Sequence, residues 1–152
     1  MTAYADSLGF DKGTATYPAK GHDAITKIEV EVDFAEVKAA RAAAGATALA
    51  NTDTLQIIPL PANTVVLSAG MNVISAETVN ATATLDIGFT GGTPAAANAY
   101  GNDLVTNATG LKAADLANPT VVASADTIDI LLNTAVPEDA VIKFFAVVID
   151  AN

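Results

Sequence analysis

Apolar residues in this chain recur mostly at two-residue spacing, which predicts strands rather than helices. The strictest case runs from residue 27 to 34, where Ile28, Val30, Val32 and Phe34 alternate with Lys27, Glu29, Glu31 and Asp33. This is the pattern of a strand with one wet face. Over 79–89, Val79, Ala81, Ala83, Leu85, Ile87 and Phe89 stand against Asn80, Thr82, Thr84, Asp86 and Gly88, predicting a half-buried antiparallel strand. Residues 52–58 and 64–74 are expected to be strands divided by a turn that Pro59 and Pro61 keep out of a central ladder position. Gly70 is expected to mark a bulge or bend. Strands over 127–132 and 141–149 complete the series. The last is apolar on both faces and is therefore expected to be central or covered by another layer.

The segment 52–74 has an echo at 125–149. Asp53-Thr54 answers Asp126-Thr127, and Leu60-Pro61 with Val65 answers Val136-Pro137 with Val141. Two strand-turn-strand units in a small chain point to two layers of sheet. Residues 34–44, FAEVKAARAAA, change to alanine-rich helix formers, with Asp33 placed to cap the N-terminus and Gly45 the C-terminus. One short helix is expected there. Residues 90–119 break the periodicity with GGTP, an Ala/Asn run and LKAADLANP, which predicts a long loop holding at most one helical turn. Residues 1–24 show neither period and read as an extended arm before a single sandwich domain at 25–152. Docking on a neighbour through Tyr4, Leu8, Phe10 and Tyr17 is one reading of that arm, and a frayed terminus is the plainer one. Tyr100, in the long loop, joins those four as a candidate interface residue.

Charge narrows the partners. Seventeen acidic residues against seven basic ones give a net charge of -10, which repels phosphate backbones and anionic membranes alike. No nucleic acid or membrane partner is therefore expected. Half of the residues are apolar but only 5% are aromatic, so the core should be aliphatic. The chain has no cysteine, which excludes disulfides and thiolate metal sites. No signal-peptide pattern opens the chain and no apolar run reaches membrane-spanning length, so synthesis and retention in the cytoplasm of the producing cell is expected.

Candidate chemistry is sparse. Glu29, Glu31 and Asp33 alternate on one strand face about 6.6 Å apart, without the Asp-Gly loop of a calcium site, and read as a solvated face. Gly91-Gly92 lacks the Lys-Ser or Lys-Thr of a phosphate loop. His22, the single histidine, has no neighbouring metal ligand or nucleophile. Asn80-Ala81-Thr82 and Asn107-Ala108-Thr109 match the glycosylation pattern, but no export signal gives it meaning. Asp126 and Asp129 would need a facing partner in a cleft to act as an acid/base pair. No catalytic residue, cofactor or metal ligand is assigned, and function is expected to come from surfaces.

The motifs KIEVEVDF, AARAAAG, DTLQIIPLPANTVVLSAGMNVI, ATATLDIGF, ADTIDI and IKFFAVVID, taken in order, resemble small virion structural proteins of tailed bacteriophages, especially marine and cyanobacterial ones. The resemblance spans roughly 27–150. It implies an all-β antiparallel sandwich of jelly-roll-like kind with one short Ala-rich helix. It also implies a capsid decoration, or cement, protein on the virion exterior, with no enzymatic activity. The implied partners are the major capsid protein or other virion proteins and further copies of the chain, a trimer being favoured. Alternatives are a neck, tail or head-fibre component and a receptor- or glycan-binding adhesin module.

Overall fold

The computed structural model describes residues 25–90, 96–112 and 119–150. In chain order they form β1 (Ile25–Asp33), α1 (Phe34–Ala43), β2 (Thr54–Leu60), β3 (Thr64–Ser75), β4 (Thr84–Phe89) and β5 (Ala96–Val105). The short strands β6 (Gly110–Lys112) and β7 (Thr120–Val122) follow, then β8 (Asp126–Leu132) and β9 (Val141–Asp150). The first sheet has the order β1-β9-β3-β6, with β7 also on β3, and the second has the order β2-β8-β4-β5.

The pairing has a simple logic. β1 pairs with β9, β2 with β8, β3 with β6 and β7, and β4 with β5, always antiparallel. The first half of the chain thus pairs with the second half in reverse, as in one long hairpin whose tip lies between β4 and β5. Rolling that hairpin brings β3 against β9 and β4 against β8, and these contacts complete the two sheets. A rolled antiparallel ribbon folded into two layers is a jelly roll. The expected antiparallel β-sandwich with one short helix is the observed fold.

The internal echo has a structural meaning. Its two units are β2-turn-β3 and β8-turn-β9, each stepping from the second sheet to the first. They pair strand for strand, β2 with β8 and β3 with β9. β9, apolar on both faces, lies between β1 and β3. Pro59 falls inside β2 opposite Thr127. β2 is an edge strand, the place where a residue without an N–H is tolerated.

Local capping explains the helix. The Asp33 carboxylate accepts the N–H groups of Ala35 at 2.9 Å and Glu36 at 3.2 Å. Gly45, just past the last turn, has φ +66°, the left-handed conformation that suits glycine after a helix. Phe34 is the first residue of α1 and not the fourth inward residue of β1; its N–H bonds Ala140 O at 3.0 Å, and its ring is buried with Val37. The core is aliphatic, with Leu55, Ile58, Leu60, Met71, Leu85, Ile87 and Ile130 fully enclosed.

Three expectations are corrected. β4 begins at Thr84, not at Val79, because the carboxylate of Glu77 takes the N–H groups of Val79 and Asn80 and turns the chain there. Nor does β4 alternate, since Leu85 to Phe89 are all buried. Gly70 marks no bulge: it pairs in register with Phe145, and the irregularities in β3 fall at Val66/Ser68 and Val73/Ser75. An aromatic side chain can lie over a facing glycine, which accounts for a glycine inside this strand. Finally, 90–119 is not one loop, because the Ala/Asn run forms β5 and Gly110–Lys112 forms β6. Tertiary pairing with β4 outweighs the weak strand propensity of Ala and Asn. The helical turn suggested for LKAADLANP lies largely at 113–118, outside the described residues.

Candidate functional site

The end of the sandwich beside α1 carries a dense set of hydrogen bonds among the described residues. Glu77, only 2% exposed, follows β3 and spreads its two carboxylate oxygens over five backbone N–H groups. Oε1 accepts from Val79 at 3.1 Å and Asn80 at 2.8 Å. Oε2 accepts from Glu138 at 2.6 Å, Asp139 at 3.0 Å and Ala140 at 3.2 Å. In return, the Asp139 carboxylate accepts both the N–H and the hydroxyl of Thr78. These bonds, the hydroxyl's above all, hold Asp139 below the usual carboxylate range. The two connections are thereby fixed to each other.

Next to this clasp lies a cleft of about 570 Å³, bordered by Lys38, Arg41, Leu49, Asn80, Val136 and Glu138. Its charged groups are occupied. Lys38 pairs with Glu138, and the Arg41 guanidinium donates to the Thr47 carbonyl, from Nε at 2.9 Å. Asn80 Nδ2 is bound to Val136 O at 2.8 Å, and the Thr134 hydroxyl is 2.9 Å from that of Thr84. With those groups engaged, the apolar lining of the cleft is Leu49, Val136 and four alanines. It brings together no nucleophile and base.

Two further carboxylates are buried, and both serve the backbone. Asp86 accepts the N–H of Asp103 at 2.7 Å where β5 bulges and Asp103 takes φ +51°. Asp129 accepts the N–H of Thr90 at 3.1 Å, together with the hydroxyls of Thr90 and Thr127. Burial raises its pKa despite these bonds. Among the described residues no group of three His, Cys, Asp or Glu side chains is placed to hold a metal ion. Among them, too, no helix is long and apolar enough to cross a membrane.

The outer face of the first sheet has a different character. Its cross-strand register places Ile25, Ile149, Val65 and Val121 in one row over four strands. The next rows hold Lys27, Val147 and Ser68, then Glu29, Phe145 and Gly70, then Glu31, Lys143, Asn72 and Leu111. Ile25, Val121 and Leu111 are 67%, 61% and 69% exposed. Lys27 Nζ forms an ion pair with Glu29 at 2.7 Å and lies 5.3 Å from the centre of the Phe145 ring.

Of the candidate interface residues, Tyr4, Leu8, Phe10 and Tyr17 lie outside the described residues, as does His22. Tyr100 sits in β5 and is 1% exposed, meeting Phe89 edge-to-face at 5.8 Å between ring centres. It is a core residue of this chain, and burial pushes its hydroxyl pKa up. The apolar row on the first sheet was missed, although one signal was present. Ile25 has the parity of Lys27, Glu29 and Glu31, so it is an apolar residue on the strand's wet face.

No family model and no curated protein matches this chain. Solved structures do share its fold. A chain in the capsid of Ralstonia phage GP4 superposes with a TM-score of 0.63 at 15% identity, over 92% of each chain. A chain in the capsid asymmetric unit of cyanophage Pam1 gives 0.59 at 18% identity, over 91% of this chain and 94% of that one. A chain in the acidic stable capsid structure of Helicobacter pylori bacteriophage KHP30 gives 0.58 at 12% identity, over 87% and 92%. At such identities the likeness is one of fold.

Proposed function

We propose that the protein is a non-enzymatic structural component of a tailed-phage capsid, and more specifically a decoration protein that binds the outside of the shell and stabilises it. The observation that carries this reading is the likeness of fold to chains of three phage capsid structures, spanning nearly the whole of this chain and of theirs. The geometry agrees with it. A decoration protein needs a stiff body, broad contact surfaces and no reaction centre. The five N–H groups held by Glu77 stiffen one end of the sandwich, and the outer face of the first sheet provides breadth. Many weak contacts to neighbouring shell subunits add up, because each contact after the first is effectively intramolecular. In this reading Tyr4, Leu8, Phe10 and Tyr17 are contact residues of an N-terminal arm that grips the shell.

Purified protein added to expanded capsids of its own phage should bind at a fixed number of copies per shell and raise their resistance to heat and osmotic shock. Capsids that bind none of it would refute the reading.

A further inference from the structure

We infer that in the free protein residues 4–10 of the same chain, YADSLGF, seat in the cleft beside α1. The cleft's volume of about 570 Å³ falls within the ~300–1,000 Å³ range of ligand-sized pockets. Leu49 and Val136 pack against the core and also line the cleft. The Lys38, Arg41 and Asn80 side chains on its border already have partners, so apolar side chains entering it leave none of these groups stranded. Asn51 and Asn80 each donate an amide N–H to the main chain of 134–136 at 2.8 Å. Their carbonyl oxygens accept no hydrogen bond among the described residues, and each can take an N–H from the backbone of an extended segment.

Charge selects the segment. Two of the three charged side chains on the border of the cleft are basic, Lys38 and Arg41 against Glu138. The whole chain has seven basic residues and seventeen acidic ones, so this border reverses the general balance and draws an occupant with negative charge. Residues 4–10 bring Tyr4, Leu8 and Phe10 to the apolar lining and carry a single charge, that of Asp6. The other aromatic stretch of the arm, TATYPAK at 14–20, carries a base and no acid, which is the wrong sign.

The chain is long enough to make this contact within one molecule. β1 leads from Ile25 directly into α1, so the cleft lies about one strand length, roughly 30 Å, from the point where the arm begins. Residues 11–24, between Phe10 and Ile25, span up to about 46 Å when extended. No second molecule is needed. Shell subunits would compete with the cleft for Tyr4, Leu8 and Phe10, but the inference concerns the free chain and does not depend on attachment to a capsid.

The chain has no cysteine, so Thr2→Cys accepts a single nitroxide label beside the segment, and NMR of the full labelled chain tests this with no capsid present. The label should broaden the amide signals of Leu49, Asn51, Thr134 and Val136 and leave sharp those of β7, which lies at the other end of the sandwich. Ala48→Glu sets a like charge against Asp6 at an exposed position of the cleft and should reduce the broadening at least about threefold. Ala39→Glu, exposed on α1 but outside the cleft, should leave it unchanged, and both variants should keep the wild-type melting temperature. Cleft signals as sharp as those of β7 overturn the inference, and so does undiminished broadening in folded Ala48→Glu. Cleft signals broadened in a mixture of isotope-labelled and spin-labelled chains would place another molecule's arm there and overturn it as well.

Discussion

The carboxylate of Glu77 accepts the backbone N–H of Asp139 at 3.0 Å, and the carboxylate of Asp139 accepts the N–H of Thr78, the residue after Glu77, at 2.8 Å. This reciprocal bond joins the connection after β3 to the turn before β9. Glu77→Gln should loosen it. The amide has a single acceptor oxygen, so its NH₂ would confront two or three of the N–H groups that the carboxylate now satisfies. Each buried donor left unpaired costs about 1–3 kcal/mol, and a loss of roughly 3 kcal/mol or more is expected in chemical denaturation. A loss under about 1 kcal/mol would show that the carboxylate is not needed to hold these groups.

Two glycines separate space from conformation. A Cβ on Gly88 would come within 2.0 Å of Ala96 O and 2.6 Å of Ala97 C. These are backbone atoms and cannot swing aside, so Gly88→Ala should force β5 away from β4 and cost at least about 3 kcal/mol. At Gly45 the added Cβ would meet nothing within 4 Å, and only its φ of +66° opposes substitution. Gly45→Ala should therefore cost about 1–2 kcal/mol. Denaturant midpoints of the two variants check the order, and equal losses would contradict it.

Asp129 gives a pH signature. Burial raises its pKa in the folded state, so folding favours its protonated form. The stability it contributes is fully present below the unfolded-state value of about 3.9 and is lost as pH rises through the higher folded-state value. Relative to Asp129→Asn, the wild type should lose ground as pH climbs through that interval. The carboxyl carbon of Asp129 should titrate above the ordinary aspartate range by NMR. Asp139 behaves in the opposite sense: its lowered pKa stabilises the fold above the unfolded-state value and ceases to do so as pH falls through the folded one. An Asp129 midpoint at or below the ordinary range would contradict this account of its burial.

What was legible in the sequence was local or repeated. The alternation from Ile28 to Val32 and the Asp33 cap depend on neighbouring residues alone, so β1 and α1 could be read directly. The echo between the two Asp-Thr units announced two layers, because the same strand-turn-strand step was used twice. β5 was hidden, since AANAYGNDLV has little strand propensity and is held by pairing with β4. The first half of the expected 79–89 strand was lost to Glu77, whose five N–H partners include three that lie about sixty residues later. Tyr100 looked like a loop residue for the same reason that β5 was missed, and it is core. The apolar row of the first sheet becomes visible only when β1, β9, β3 and β7 are laid in register, although the parity of Ile25 was its trace.

The central claim is tested most directly by cryo-electron microscopy of the intact phage particle. The account predicts density for this two-sheet sandwich on the outer surface of the capsid, at a fixed number of copies per shell and in contact with the major capsid protein. Sandwich density confined to the tail or to fibres, or a mature shell whose exterior carries none of this chain, would contradict it.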